Sequence, residues 1–173
     1  MSVKELITVP DDILRKKSEP LTKVDVNEKK LIKDLFETMY HHNGIGLAAV
    51  QVGILKRVVV LDVSKNENEK KPLCFINPQI KTLSEKMSTY EEGCLSIPNT
   101  FIEIERPEIC TVSYIDENGD KKEMECDGLL STCLQHEINH LDGKLIIDYL
   151  SKIKKDLIIK KLSKQKNSNR VIV

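Results

Sequence analysis

The sequence predicts a single domain of the α+β class, with mixed or antiparallel strands around a central helix and a further helix at the C-terminus. Three observations lead to this prediction. Strand-like segments fill the middle of the chain, a segment with helical period follows them at 127–143, and a basic amphipathic segment begins near Ser151. A chain of 173 residues is long enough to bury one sizeable core.

The N-terminal third is expected to hold an extended segment, a short turn and one helix. Residues 1–10 are extended, and PDDILRKKS at 10–18 indicates a helical turn. From Asp25 to about Asn43 apolar residues recur at helical spacing, and Asn43-Gly44 favours the end of that helix. The β-branched run RVVVLDV at 57–63 then predicts a buried strand.

Four more strands are predicted in the middle of the chain. They are CFINPQI at 74–80, TFIEIE at 100–105, ICTVSYI at 109–115 and KKEMEC at 121–126. Pro78 limits the pairing of the first, and the turn at 116–119 joins the last two. Residues 127–143 change to helical period, with an apolar stripe through Leu130, Leu134, Ile138 and Leu141, and Gly143 favours the helix end.

Composition restricts the function and the location. The 27 basic and 27 acidic side chains cancel, which argues against a dedicated nucleic-acid binder but leaves a local basic patch open. Five cysteines without a CxxC pair indicate a reducing compartment rather than a disulfide framework. No segment approaches the roughly 20 apolar residues of a membrane span. We expect a cytoplasmic monomer, or an organellar protein if a transit peptide is missing from the sequence.

The stretch QHEINH at 135–140 is the first that indicates a possible metal site. Residues four apart share a helix face, so His136 and His140 can reach one ion. Glu137 lies about 100° round the helix from His136 and can approach a metal-bound water without binding the metal. The pattern alone has many chance matches, and an ordinary helix with two histidines explains it about as well. For His41-His42 a surface or capping role is favoured over metal binding.

A catalytic site needs a third protein ligand and an open position. Downstream of the histidines there are Asp142 and Asp148 but no further histidine. Upstream, EEGCLSIP presents Cys94 in what we interpret as a loop, where a thiolate is a plausible ligand. A lone cysteine is more often a buried, inert thiol than a ligand. We interpret Cys74, Cys110, Cys126 and Cys133 in this way, as structural residues.

The third stretch is GIGLAAVQVG at 44–53. Gly44 and Gly46 let the backbone approach a ligand closely, and Gln51 offers one amide donor. The stretch is not GxGxxG and no phosphate-loop lysine follows it, so a nucleotide site is disfavoured. A plain turn that leads into a strand explains this stretch about as well.

Together, in this order, the three stretches resemble the peptide deformylase family. That family shows GxGLAAxQ, EGCLS and QHExDHLxG segments, and this chain reads GIGLAAVQ at 44–51, EGCLS at 92–96 and QHEINHLDG at 135–143. The likeness runs from Val9-Pro10-Asp11, through FETMY, to GKLIIDYLS after the last motif. Within the single domain it assigns residues 1–150 to the catalytic part and 151–173 to a basic helix and tail.

The resemblance implies a role for each matching residue. Cys94, His136 and His140 would bind the metal, and Glu137 would act as general base and then as acid. The residues that remain fall into two groups. Gln51 and the Leu95 backbone N–H would stabilise the oxyanion, while Ile45 and Gly93 would anchor the peptide backbone like an added strand. Gly44 and Gly46 would belong to the substrate site because they allow close approach. An apolar pocket for methionine would involve Ile45, Leu129 and Cys133.

The implied reaction removes the formyl group from the N-terminal formylmethionine of nascent polypeptides and releases formate. The family usually holds Fe²⁺, with Ni²⁺, Co²⁺ or Zn²⁺ able to substitute. A divalent ion lowers the pKa of bound water to about 7, and a soft thiolate such as Cys94 fits iron or zinc better than magnesium. Two rivals remain: a zinc endopeptidase that uses the same helix, and an inactive ribosome-associated binding protein.

Residue 139 departs from the family pattern. The family usually has Asp where this chain has Asn139, and we expect a supporting role there, with a contact to Arg106 that the lost charge weakens.

The C-terminal segment carries eight basic residues against Asp156, and we expect it to dock on ribosomal RNA near the exit of the nascent chain. A solvated amphipathic helix is the alternative. The eight residues are Lys152, Lys154, Lys155, Lys160, Lys161, Lys164, Lys166 and Arg170.

Overall fold

A computed structural model describes residues 2–64 and 69–170 of the chain. These residues form seven strands and three α-helices. The helices are α1 (Val26–His41), α2 (Gly128–Leu141) and α3 (Lys152–Arg170). The strands are β1 (Gly46–Ala48), β2 (Val58–Leu61), β3 (Leu73–Leu83), β4 (Met87–Cys94), β5 (Ile97–Pro107), β6 (Ile109–Ile115) and β7 (Lys121–Asp127).

Five strands form an antiparallel sheet in the order β1-β2-β3-β6-β7. Its most buried strand is β2, and the two faces of β2 contact different helices. Val58 and Val60 belong to the apolar cluster that includes α1, whereas Val59 and Leu61 belong to the cluster that includes α2. Because side chains alternate along a strand, a strand covered on both faces is apolar throughout, which explains the run RVVVLDV.

Strands β4 and β5 form a separate two-stranded sheet. The inward side chains of β5, including Ile102 and Ile104, pack in a third apolar cluster with Leu14, Ile147 and Leu162 of α3. The hairpin therefore lies between α2 on one side and the C-terminal segments on the other. This position brings the end of β4 to the middle of α2.

The α+β prediction is confirmed, and every ladder between the described strands is antiparallel. The expected disturbance at Pro78 is present, because the pairing of β3 with β6 shifts register between Ile76 and Gln79. The loop interpretation of EEGCLSIP is wrong. Residues up to Cys94 belong to β4, whose sequence MSTYEEGC lacks the apolar alternation of a half-buried strand.

The helices agree with the predicted segments to within two residues at most ends. Asp25 caps α1 through a hydrogen bond from the Asn27 backbone N–H, and His42 is its C-cap residue. The expected capping role near His41-His42 is therefore confirmed for His42. Among the described residues, no helix combines the length and the hydropathy that a membrane span requires.

Candidate metal centre and active site

Helix α2 is buried on almost every side. Ten of its 14 residues are buried, because its apolar stripe packs on the five-stranded sheet and its polar face packs on the hairpin β4–β5. On the polar face, the Gln135 amide donates hydrogen bonds to the Pro107 carbonyl at 2.9 Å and to the Ser131 hydroxyl at 2.9 Å. These contacts fix the rotation of the helix and thereby the direction of its histidines.

Three metal-ligating atoms converge between α2 and the end of β4. Cys94 Sγ lies 3.2 Å from His140 Nε2, and His140 Nε2 lies 3.1 Å from His136 Nε2. All three atoms lie within 4.8 Å of one another. Two imidazole nitrogens and one sulfur that face a common point form a donor set for a soft or borderline divalent cation. Within the described residues this is the one such cluster, and it contains three ligand-type side chains and no fourth.

The orientation of the His136 ring is set by Glu92, which forms a buried ion pair with Arg106. Its Nδ1 lies 2.8 Å from Glu92 Oε2, and a carboxylate only accepts, so Nδ1 carries the proton and Nε2 presents its lone pair to the centre. Glu92 is held in turn by Arg106, with Nε–Oε1 at 2.6 Å and Nη2–Oε2 at 3.0 Å. Burial raises the pKa of Glu92, but the hydrogen bonds from His136 and Arg106 outweigh burial and hold the pKa below its usual range.

The two ligand imidazoles differ in basicity. Burial lowers the pKa of His136, but its contacts with Cys94 and Glu92 outweigh burial and raise the pKa to about 10. Burial and the neighbouring His136 hold the pKa of His140 well below its usual value.

Asn139 belongs to the same hydrogen-bond network as Glu92 and Arg106, and its expected contact with Arg106 is present. The Arg106 Nη1 donates to Asn139 Oδ1 at 2.9 Å and to the Tyr149 hydroxyl at 3.0 Å. The Tyr149 hydroxyl donates in turn to Asn139 Oδ1 at 3.3 Å. The amide oxygen of Asn139 therefore occupies the place of a carboxylate oxygen, without its charge.

Glu137 lies beside the metal-ligand cluster and against β1. A Cβ on residue 46 would lie 2.6 Å from Glu137 Oε1 and 2.8 Å from Leu61 Cδ2, so only glycine fits there. The other carboxylate oxygen, Oε2, is buried and accepts no hydrogen bond from any described residue. Burial raises the pKa of Glu137 to about 7, His136 opposes this shift, and Glu92 adds to it. A carboxyl group with this pKa can both accept and donate a proton near neutrality.

Gln51 is oriented by contacts at both ends of its amide. Its Oε1 accepts the Ala48 N–H at 2.9 Å, and its Nε2 donates to Ser96 Oγ at 3.1 Å. The same Nε2 lies 3.7 Å from Cys94 Sγ, so its second hydrogen faces the ligand cluster. The short helix Ala49–Val52 that carries Gln51 is buried, which fixes the amide before any ligand binds.

A cleft of about 600 Å³ opens onto this centre. Eleven of the twelve residues expected in the site line it, and His140 lies behind them. Ile45 and Leu129 are 42% and 41% exposed at the cleft wall, and the buried Cys133 lies deeper. The eleven residues are Gly44, Ile45, Gly46, Gln51, Gly93, Cys94, Leu95, Leu129, Cys133, His136 and Glu137.

Sequence reasoning missed several residues at this cleft. Glu92 had no local signal, because its partners His136 and Arg106 are distant in sequence. Residues at the rim of the cleft were also missed. One of them is His42, which is the C-cap residue of α1 as well. Phe101 was predicted only as part of the strand TFIEIE, in which apolar and polar residues alternate. It is 68% exposed, and its ring packs on Gly93, where a Cβ would lie 2.9 Å from the ring. An exposed aromatic in an otherwise alternating strand is the signal that could have identified it.

The sequence model of the family described as polypeptide deformylase matches residues 3–156.

The chain belongs to the peptide deformylase family.

A peptide deformylase from Pelagibacter ubique is 54% identical over 173 residues, which is the full length of both chains. Among solved structures, peptide deformylase from Ehrlichia chaffeensis superposes with a TM-score of 0.92 at 42% identity, over 98% of this chain and 100% of that one. The structure of the Ehrlichia chaffeensis protein in complex with actinonin gives a TM-score of 0.89 at 44% identity, over 95% of this chain and 98% of that one. Family membership makes this protein an enzyme, and the resemblance seen in its three motifs is confirmed.

Proposed function

We propose that this chain removes the formyl group from the N-terminal formylmethionine of nascent polypeptides and releases formate. One observation supports the proposal above all others. Cys94, His136 and His140 converge at the floor of a cleft that also presents Glu137 and Gln51. The family to which the chain belongs carries this activity in its name, and the cleft is large enough for a short peptide.

The donor set fits a resident divalent cation. Both imidazoles expose Nε2, the His136 ring is fixed by Glu92, and the thiol of Cys94 is within 3.2 Å of His140. We propose Fe²⁺ as the ion, with Ni²⁺, Co²⁺ or Zn²⁺ as substitutes, because a thiolate favours these ions over magnesium or calcium. When bound, the ion supplies Lewis-acid chemistry that makes water a nucleophile near neutral pH.

Glu137 moves the proton in this proposal. Its free oxygen Oε2 accepts a proton from the attacking water and then passes it to the amine that leaves. The pKa of about 7 suits both steps. Negative charge develops on the formyl oxygen, where the Gln51 amide and the Leu95 backbone N–H donate hydrogen bonds. Ala48 and Ser96 hold the Gln51 amide in place, and the Nε2 hydrogen that faces Cys94 Sγ is the one that would turn to the oxyanion.

The cleft walls bind the substrate in two ways. The backbone at Gly44, Ile45 and Gly46 on one side and at Gly93 on the other pairs with an extended peptide, as an added strand would. The side chains of Ile45, Leu129 and Cys133 form an apolar pocket for the methionine. Gly46 leaves room for the Glu137 carboxylate and Gly93 leaves room for the Phe101 ring, and both of these side chains line the cleft.

The basic helix α3 would bring the enzyme to its substrate. Five lysines of α3 face solvent, and such a row of cations suits the phosphates of ribosomal RNA. They are Lys152, Lys154, Lys160, Lys161 and Lys164. A ribosomal substrate also implies the compartment of translation, the cytoplasm for a bacterial-type protein. Sedimentation with ribosomes at increasing salt tests the docking, since the affinity should fall steeply.

A formate-release assay tests the proposed reaction. The chain is purified without oxygen, because a thiolate at an iron centre is prone to oxidation, and it is loaded with Fe²⁺. Formyl-Met-Ala-Ser should yield formate and one new amine in equal amounts, while acetyl-Met-Ala-Ser and an internal peptide bond should remain intact. Cleavage of the internal bond without formate would replace the proposal with a zinc-peptidase activity.

A further inference from the structure

A second cavity, of about 260 Å³, lies beside the catalytic cleft. One wall is the segment 98–101 at the start of β5. The other wall is one face of α3, which contributes Ile158, Lys161, Leu162 and Gln165. The proposed catalytic function gives this cavity no role.

The cavity continues the catalytic cleft. Residues 98–101 line both, so the two spaces meet across the exposed ring of Phe101. A peptide held between Ile45 and Gly93 and extended towards this rim would pass over Phe101. Extended chains advance about 3.3 Å per residue, so a few residues beyond the methionine suffice to carry a side chain across an aromatic ring.

Half of the residues that line the cavity are polar, and one of them is a cation. Lys161 and Gln165 are four apart on α3 and therefore project together, with Asn99 and Thr100 opposite them. Among the described residues no carboxylate lies within 4.0 Å of the Lys161 ammonium, whereas Lys155 and Lys166 on the same helix pair with Asp148 and Asp11. The cavity thus offers one uncompensated positive charge and neutral donors, which complement a carboxylate.

We propose that this cavity binds an acidic side chain of the substrate polypeptide, downstream of its first methionine. The proposal rests on the deformylase function above and extends it to specificity. The carboxylate would meet the Lys161 ammonium and the Gln165 amide after the chain crosses Phe101. Ile153 and Leu157, which are also exposed on α3, do not line the cavity.

A peptide series on the Fe²⁺ enzyme tests the proposal. Formyl-Met is followed by alanines with a single Glu or Gln at positions 3 to 7, and kcat/KM is measured for each pair. At one position Glu should be preferred about two- to fivefold through KM, the range of an exposed charge pair, and the preference should shrink at high salt. Taking the Glu/Gln ratio within each variant cancels any general loss of activity.

Two substitutions assign the preference to its residue. Lys161→Ala should bring the Glu/Gln ratio to one, and Lys161→Glu should bring it below one, a preference for Gln. Lys160→Ala is the matched control, because its side chain lies about 100° round the helix and does not line the cavity, and the ratio should stay at the wild-type value.

Two outcomes overturn the inference: no position at which Glu is preferred, or a preference that survives in Lys161→Ala. The dipeptide formyl-Met-Ala is too short to reach the cavity and reports on the deformylase function alone. If formyl-Met-Ala is turned over while the Glu preference is absent, only the inference fails. If formyl-Met-Ala yields no formate, the proposed function fails with it.

Discussion

Helices α2 and α3 both carry polar side chains, but in opposite settings. In α2 most polar residues are buried between a sheet and a hairpin, and Gln135 and His136 hydrogen-bond to defined partners on the hairpin. Among the α3 side chains that the structure describes, 152–166, only Leu162 is buried, and the charged residues face solvent or form exposed ion pairs. Polar side chains in α2 therefore have fixed geometry, which catalysis needs, whereas those in α3 act mainly through charge. Substitutions should have large effects in and around α2 and small effects on α3.

The largest effect is expected at Glu137. Glu137→Gln keeps the shape but cannot accept a proton, so kcat should fall by about 10²–10⁴. Metal content, measured after anaerobic purification, should stay at one ion per chain because Glu137 is not placed among the ligands. Substantial activity in this variant would remove Glu137 from the mechanism.

Glu92→Gln should be the most destabilising change near α2. It leaves the buried guanidinium of Arg106 without its counter-charge, which costs about 3–5 kcal/mol in the free energy of unfolding. It also weakens the hold on His136, and loss of such a partner lowers metal affinity about 10–100-fold. Urea unfolding and competition with a chelator measure the two effects. Glu105→Gln, an exposed position on β5, is the control and should match the wild type.

Asn139→Asp should act in the opposite direction. It places a carboxylate about where Asn139 Oδ1 now accepts the Arg106 hydrogen bond at 2.9 Å. We expect a gain of about 1 kcal/mol, seen as a rise in Tm of roughly 2–4 °C for a chain of this size, with deformylation retained. If activity, stability and metal retention all stay unchanged, the supporting role of residue 139 is wrong.

The smallest effect is expected where α3 meets the rest of the chain. Asp148 lies 2.6 Å from Arg15 and 2.5 Å from Lys155, and although burial raises its pKa, these partners lower it to about 2. The folded pKa is below the ordinary value of 3.8, so the stability that Asp148 contributes is complete above about pH 4 and is lost as the pH falls towards 2.

Melting curves of Asp148→Asn test this assignment. The variant should melt slightly below the wild type at pH 6, and the difference should vanish near pH 2. Asp156→Asn is the control, since Asp156 is exposed on α3 and forms no ion pair within the described residues. A difference that persists at pH 2 would contradict an electrostatic origin.

The parts of the site that sequence predicted are those with local periodicity or a specific motif. Helical spacing alone placed His136 and His140 on one face, and the motif EGCLS singled out Cys94. The hairpin was missed in part, because β4 is polar on both faces and gives no alternation. Glu92 and the rim residue Phe101 were missed for a related reason. Their roles depend on partners from other elements, which no local pattern reveals.

By itself the sequence predicted the α+β class and the helix that carries the histidines, and its motifs singled out Cys94, His136 and His140 as candidate metal ligands. These features follow from periods of 3.6 and 2 residues and from motifs, all of which lie within short windows of the chain. Only the tertiary structure decided that Cys94 Sγ comes within 3.2 Å of His140, that Arg106 holds Glu92 against His136, and that α3 forms a wall beside the cleft. Such distances depend on how the hairpin, α2 and α3 pack together, and that packing is set by the burial of side chains from the whole chain at once.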